Sequence, residues 1–193
     1  MLQKNKGGIE VPPKTKITKE MILEAAYEIL RERGIEHINA RSIAQRLNCS
    51  TQPVMYNFAT IEELKRAVYA RTDEEHSRRL MDIRGRYENP MMEIGMKYIH
   101  FAMEEPNLFK FLFQADAFSN QSFDDLWSAE ELKPVLQQFS IGLGVDMEQA
   151  KKIFAARFFL VHGIASMVAN NSMEPDEETI LQILRVAERQ GCL

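Results

Sequence analysis

Apolar residues along this chain recur at three- and four-residue intervals, the spacing of helices that bury one face. From Thr18 to Arg33, Ile22, Ala26, Ile29 and Leu30 share one such face. Thr18 is placed to cap the start, and Gly34 stands where a C′ glycine ends a helix. A second, shorter helix is predicted from Ala40 to Leu47, with Asn39 as its cap and Ile43, Ala44 and Leu47 as its buried stripe. After a tight connection through Asn48 and Cys49, Ser50 is expected to cap a third helix of roughly one and a half turns. Pro53 falls in its first turn, where a missing N–H does little harm. Thr60-Ile61-Glu62-Glu63 is a capping box that opens a long fourth helix. Helices this short, joined by turns this tight, predict a three-helix unit containing a helix-turn-helix.

Beyond Arg71 the pattern stays helical and carries no strand signal, so the predicted class is all-α. Breaks fall near Asn89-Pro90, Glu105-Pro106, Ser119 to Ser122, Gly142 to Asp146 and Asn170 to Pro175. Pro90, Pro106 and Pro175 stand where prolines open helices. The stretch from Met147 to Asn170 is apolar on more than one face, as a buried or subunit-interface helix is. The expected organisation is a disordered basic arm at residues 1–17, a helix-turn-helix domain at 18–71 and a helical domain at 72–193.

Charge changes this picture by dividing it. The whole chain has a net charge of -4, which argues against a nucleic-acid partner. Residues 1–71, however, hold 12 Lys+Arg against 8 Asp+Glu, and the remainder 12 against 20. Only the first part is suited to phosphate. Hydrophobic content of 45% is ordinary for a globular protein. No uninterrupted apolar run reaches the roughly eighteen residues of a membrane span. The N-terminus lacks the apolar segment of a signal peptide, and Cys49 and Cys192 match neither a disulfide framework nor a metal spacing. A cytoplasmic protein is expected.

The stretch from Ile43 to Phe58, followed by Glu62-Glu63-Leu64, resembles the DNA-binding signature of the TetR family of transcriptional regulators. The helix from Ile22 to Gly34 is similar to that family's first helix in spacing, so the likeness spans about Thr18 to Ala67. Within the rest, Glu105-Pro106-Asn107-Leu108-Phe109 and Val161-His162-Gly163 are similar to motifs in one group of TetR-type sensor domains. The resemblance implies a homodimer that binds a pseudo-palindromic double-stranded DNA operator, commonly as a repressor released by a small-molecule effector.

A helix-turn-helix sets the start of its second helix against base edges, where Thr51, Gln52 and Pro53 stand. Gln52 can pair bidentately with adenine, and Thr51 and Pro53 can touch a thymine methyl. Ser50 offers a hydroxyl suited to phosphate. The resemblance implies base or phosphate contact for Arg41 and backbone clamping for Tyr56 and Asn57. Lys65 and the lysines at 14 and 16 are further electrostatic candidates. Two positions depart from the family pattern: Met55 stands where a tyrosine is usual, and Ile61 where lysine is common.

In the second domain, Phe101, Phe113, Trp127 and Phe158 are expected to bound a pocket for an apolar or aromatic molecule, with His162 beside it. The segments Leu132 to Leu143 and Met147 to Val168 are the expected dimer surface, through Leu136, Phe139, Phe158, Val161 and Ala165. No catalytic pair, cofactor loop or metal cluster appears at productive spacing, so neither an enzyme nor a cofactor is expected. The remaining alternative is a helix-turn-helix that docks protein and has no operator.

Overall fold

The computed structural model describes residues 17–114, 132–172, 174 and 176–189. The arm at residues 1–16, Trp127, Pro175 and Cys192 lie outside them. Among the described residues the protein is all-α, with nine helices and no strand. In chain order these are α1 (Lys19–Arg33), α2 (Ala40–Arg46), α3 (Gln52–Asn57), α4 (Ile61–Met81), α5 (Pro90–Glu104), α6 (Pro106–Phe113), α7 (Lys133–Leu143), α8 (Met147–Ala169) and α9 (Glu177–Arg189).

Local chemistry sets most of these boundaries. The Thr18 hydroxyl accepts the Met21 N–H at 3.2 Å, and the Gly34 N–H closes α1 on the Leu30 carbonyl at 2.9 Å. Gly34 sits at φ 91°, a backbone conformation that side chains resist. Asn39 caps α2 by accepting from both Arg41 N–H and Ser42 N–H. At the head of α4 the Thr60 hydroxyl accepts the Glu63 N–H at 3.0 Å. The Glu63 carboxylate reaches back to the Ala59 N–H at 2.9 Å, one residue earlier than a standard capping box.

Helices α1 to α4 bury Ile22, Leu30, Ile43, Val54, Phe58 and Leu64 together. Their core is not sealed off at Arg71. Helix α4 runs unbroken through that position, packing on α1 first and then on α5 and α6, and one continuous core joins the two halves. An ion pair crosses the same junction. Arg31 on α1 makes a two-pronged contact with the buried Glu105 carboxylate at 2.5–2.8 Å, and the Asn107 amide donates to the Arg31 carbonyl at 3.0 Å. The segment Glu105-Pro106-Asn107 is thus the dock for α1.

Helices α5 and α8 lie against each other over most of their length, as do α7 and α8. The approach of α5 to α8 is close enough that a β-carbon at Gly95 would stand 3.3 Å from a Val161 methyl. By length and composition α8 would also qualify as a membrane span, with a mean hydropathy of 1.4 over eighteen residues. Counting uninterrupted apolar runs missed it, because Arg157 and His162 break the run. Core helices of water-soluble proteins meet the same criterion; here 22% of that window is buried, and most of its other apolar residues are half-buried.

The loop between α4 and α5 is pinned from below by a carboxylate. Glu93 is fully buried, and it accepts the backbone N–H groups of Arg84 and Arg86 at 2.7 and 3.0 Å, with Lys97 at 3.2 Å. The backbone donors hold its pKa down to about 2. A carboxyl shifted this way adds stability that is complete above its unfolded value of 4.5 and is lost as pH falls through about 2. The urea midpoint of Glu93→Gln should therefore lie below that of the wild type at neutral pH and converge with it as pH drops from 4.5 to about 2. A gap that stays constant with pH would mean that the ionised carboxylate does not hold the loop.

Candidate nucleic-acid interface

Six residues are too few for a helix to persist by itself, so α3 holds its shape through what it buries. Val54 and Phe58 supply that anchor, at 0% and 1% exposure. Lys19 from α1 lies 4.6 Å over the Phe58 ring and adds a cation–π contact. With the anchor inward, Gln52, Met55 and Tyr56 point outward, and Tyr56 is 88% exposed. The turn before α3 is made possible by Asn48 at φ 51°, a left-handed conformation that asparagine tolerates better than most side chains. The chain closes there through the Cys49 N–H on the Ala44 carbonyl at 2.9 Å.

The eight positions expected to face DNA fall into two groups. Arg41, Ser50, Thr51, Gln52 and Tyr56 are exposed around the start of α2 and the outer side of α3, with Pro53 half-buried between them. Among the described residues Arg41 has no acidic partner. Asn57 and Lys65 are already engaged. The Asn57 amide donates to the Pro53 carbonyl at 2.8 Å, and the Lys65 ammonium pairs with Glu62 at 3.1 Å. The cap also differs from expectation: Thr51, in helical backbone geometry, opens α3, and no side chain caps it. The sequence reading took Ser50 as the cap because serine favours that role, but the tight turn at Asn48 places it outside the first turn.

Charge on this unit is more balanced than the count for residues 1–71 suggests. Residues 17–71 carry eight Lys+Arg against seven Asp+Glu, so most of the excess belongs to the arm. Five of the eight cations are paired: Lys19 with Glu63, Arg31 with Glu105, Arg46 with Glu32, Lys65 with Glu62 and Arg71 with Glu24.

In the second half, Phe113, Phe158 and His162 of the expected pocket meet in an aromatic cluster, with Phe101 at its edge, while Trp127 lies outside the described residues. The Tyr98 ring, which sequence reasoning passed over, is its hub, with Phe109, Phe113, Phe158 and His162 at 5.1–6.1 Å between centroids. His162 stacks on Phe158 at 5.4 Å. Its two ring nitrogens lie 2.9 Å from the Tyr98 hydroxyl and 3.3 Å from Ser166, so it is a hydrogen-bonded core histidine. Phe101 is buried and contacts Phe109 at 6.5 Å. Helical spacing could have revealed Tyr98, since it follows Gly95 by three residues on the face that meets α8.

The expected dimer residues are largely used within the chain. Leu136, Phe139 and Ala165 are buried at 1%, 7% and 0% exposure. Phe139 lies under the Arg157 guanidinium and against Phe154 of its own α8. Val161 packs on Gly95, and Phe158 belongs to the aromatic cluster. Among the described residues, the large apolar side chains that stand exposed include Met167 on α8, Ile141 and Leu143 on α7, and Ile183 and Val186 on α9.

Compared with known proteins, the chain matches no family model, and no curated protein aligns with it significantly.

Anchor and outer face of α3 should separate in stability measurements. Phe58→Ala is expected to cost about 3 kcal/mol, whereas Gln52→Ala and Tyr56→Ala should each cost less than about 0.5 kcal/mol in urea unfolding followed by circular dichroism. Comparable losses at Gln52 or Tyr56 would show that the outer face is packed rather than free.

Proposed function

We propose that this protein is a dimeric, sequence-specific DNA-binding regulator whose α3 enters the major groove. One observation carries the reading: a short helix is held by two buried side chains while Thr51, Gln52 and Tyr56 stand exposed, with Arg41 unpaired beside them. A helix-turn-helix needs that arrangement to bring base-reading side chains to a duplex. The resemblance of Ile43 to Phe58 to the TetR signature supports the same reading.

In this mechanism Gln52 reads adenine through two hydrogen bonds, and Arg41 and Tyr56 fix register on the phosphates. The lysines of residues 1–16 supply much of the long-range attraction, because the folded unit has so little positive excess. Asn57 and Lys65 contribute less than their positions suggested, since each would first have to leave a partner. That near-neutral surface also favours a second reading, in which α3 docks a protein. Salt separates the two. With DNA chosen by in vitro selection, affinity should fall steeply as salt rises, and alanine at Lys4, Lys6, Lys14 and Lys16 should flatten that slope. Gln52→Ala should lose about 1–3 kcal/mol of preference at one base pair. Binding indifferent to both salt and sequence would favour the protein-docking reading.

A second copy of the chain is the proposed cover for the open face of α8. Gly163 and Met167 lie four residues apart, and both are exposed on α8. Gly163 is the telling residue. Glycine within a helix costs about 1 kcal/mol relative to alanine, and none of the described residues lies within 4 Å of where its β-carbon would be. Close approach of a partner helix accounts for it, and two-fold pairing would give the two reading heads a fixed spacing of about 34–36 Å, one turn of DNA. Gly163→Leu with Met167→Glu should yield folded monomers in analytical ultracentrifugation, with operator affinity reduced at least about tenfold. A double variant that remains dimeric would move the interface elsewhere.

A further inference from the structure

Helix α4 reaches from the reading unit to a recess of about 300 Å³ between its own last turns, the α4–α5 loop and α5. Leu80, Phe101 and His76 supply its apolar wall. His76 is 6% exposed, other rings surround it at 4.4–5.6 Å, and its ring nitrogens, which make no hydrogen bond among the described residues, are not sealed from solvent. Burial, aided by Arg79, lowers its pKa to about 4, so it is neutral and offers one donor and one acceptor.

The opposite wall is cationic. Arg79, Arg84, Arg86 and Lys97 line the recess, against two acids, Asp82 and Glu104. Arg79, Arg84 and Lys97 have carboxylate partners in Glu75, Asp82 and Glu93, and His100 faces Glu177 at 3.6 Å. Arg86 has none among the described residues, although its backbone N–H is fixed by Glu93. The α4–α5 loop therefore places on the lining of the recess a guanidinium with no carboxylate partner among the described residues, together with Phe101 and His76.

We infer that this recess binds a small organic carboxylate with an aromatic or short aliphatic body, its carboxylate on Arg86 and its body against Phe101 and His76. The recess is open to solvent on one side, and its volume of about 300 Å³ has room for a ring with a short acidic arm. The inference deepens the regulator reading by naming the class of effector, and it rests on that reading for any consequence at DNA. Occupancy would clamp the last turns of α4 to α5, and the first turns of the same helix pack on α1.

The test uses phenylacetate as probe, titrated calorimetrically into the full chain without DNA, so that its outcome is independent of operator binding. One saturable site per chain is expected. Phenethyl alcohol, without the charge, and phenethylamine, with the opposite charge, should bind at least about tenfold more weakly. His76→Phe, which keeps the ring but removes its nitrogens, and Arg86→Gln, at an exposed loop position, should each weaken phenylacetate by about fivefold or more. Absence of saturable binding at millimolar phenylacetate overturns the assignment, as does tighter binding of the amine. So does wild-type affinity in the folded Arg86→Gln variant, which stands even if His76→Phe fails to fold.

Discussion

The DNA-binding reading proposed for this protein hangs on the burial of Val54 and Phe58. A helix of six residues forms in water only when tertiary contacts hold it, because nucleation costs more than so few hydrogen bonds return. Two apolar side chains, set in a core made by α1 and α2, fix both the existence of α3 and its rotation about its own axis. The same contacts that bury Val54 and Phe58 turn Gln52 and Tyr56 to the opposite side, which is the orientation the proposed base reading needs.

In the proposed regulator the reading head must be coupled to the rest of the protein, and two connections join the halves. Helix α4 spans both halves without a break, and the Arg31–Glu105 pair, with Asn107 on the Arg31 carbonyl, ties α1 to the α5–α6 junction. Glu105 is buried and Arg31 is half-exposed, so the pair gives direction and register more than net stability. Any shift of α5 would therefore be felt at α1 and α4 together. The aromatic cluster around Tyr98 and the recess beside His76 both lie on α5, and so both are positioned to bias that coupling.

Local signals were legible wherever the chemistry is local. Thr18, Gly34, Asn39 and Thr60 each mark a helix end through a bond to a backbone group a few residues away, and the spacing alone identifies them. Burial of Ile43, Ala44, Val54 and Phe58 was legible for the same reason, since a helix with one apolar stripe has one way to face the core. Helix α8 shows where this stops. Apolar residues surround it, so periodicity could not say that Val161 and Ala165 turn inward while Phe159 and Met167 turn outward. Glu93 was equally hidden. An acid within the run Met91-Met92-Glu93-Ile94 signals something unusual, but its partners are backbone amides of a loop that spacing cannot place.

From the amino-acid order alone come the all-α class and most of the helix ends of the first unit, because caps, turns and single-stripe helices act within a few residues; the expectation for Arg41 and Tyr56 came only from the resemblance. Tertiary structure alone decided which cations remain free, which histidine is satisfied and which face of α8 is spent. Those outcomes depend on side chains separated by tens of residues meeting in space, as Arg31 meets Glu105 and Tyr98 meets His162. Long-range electrostatics and packing choose among partners that the pattern along the chain leaves equivalent.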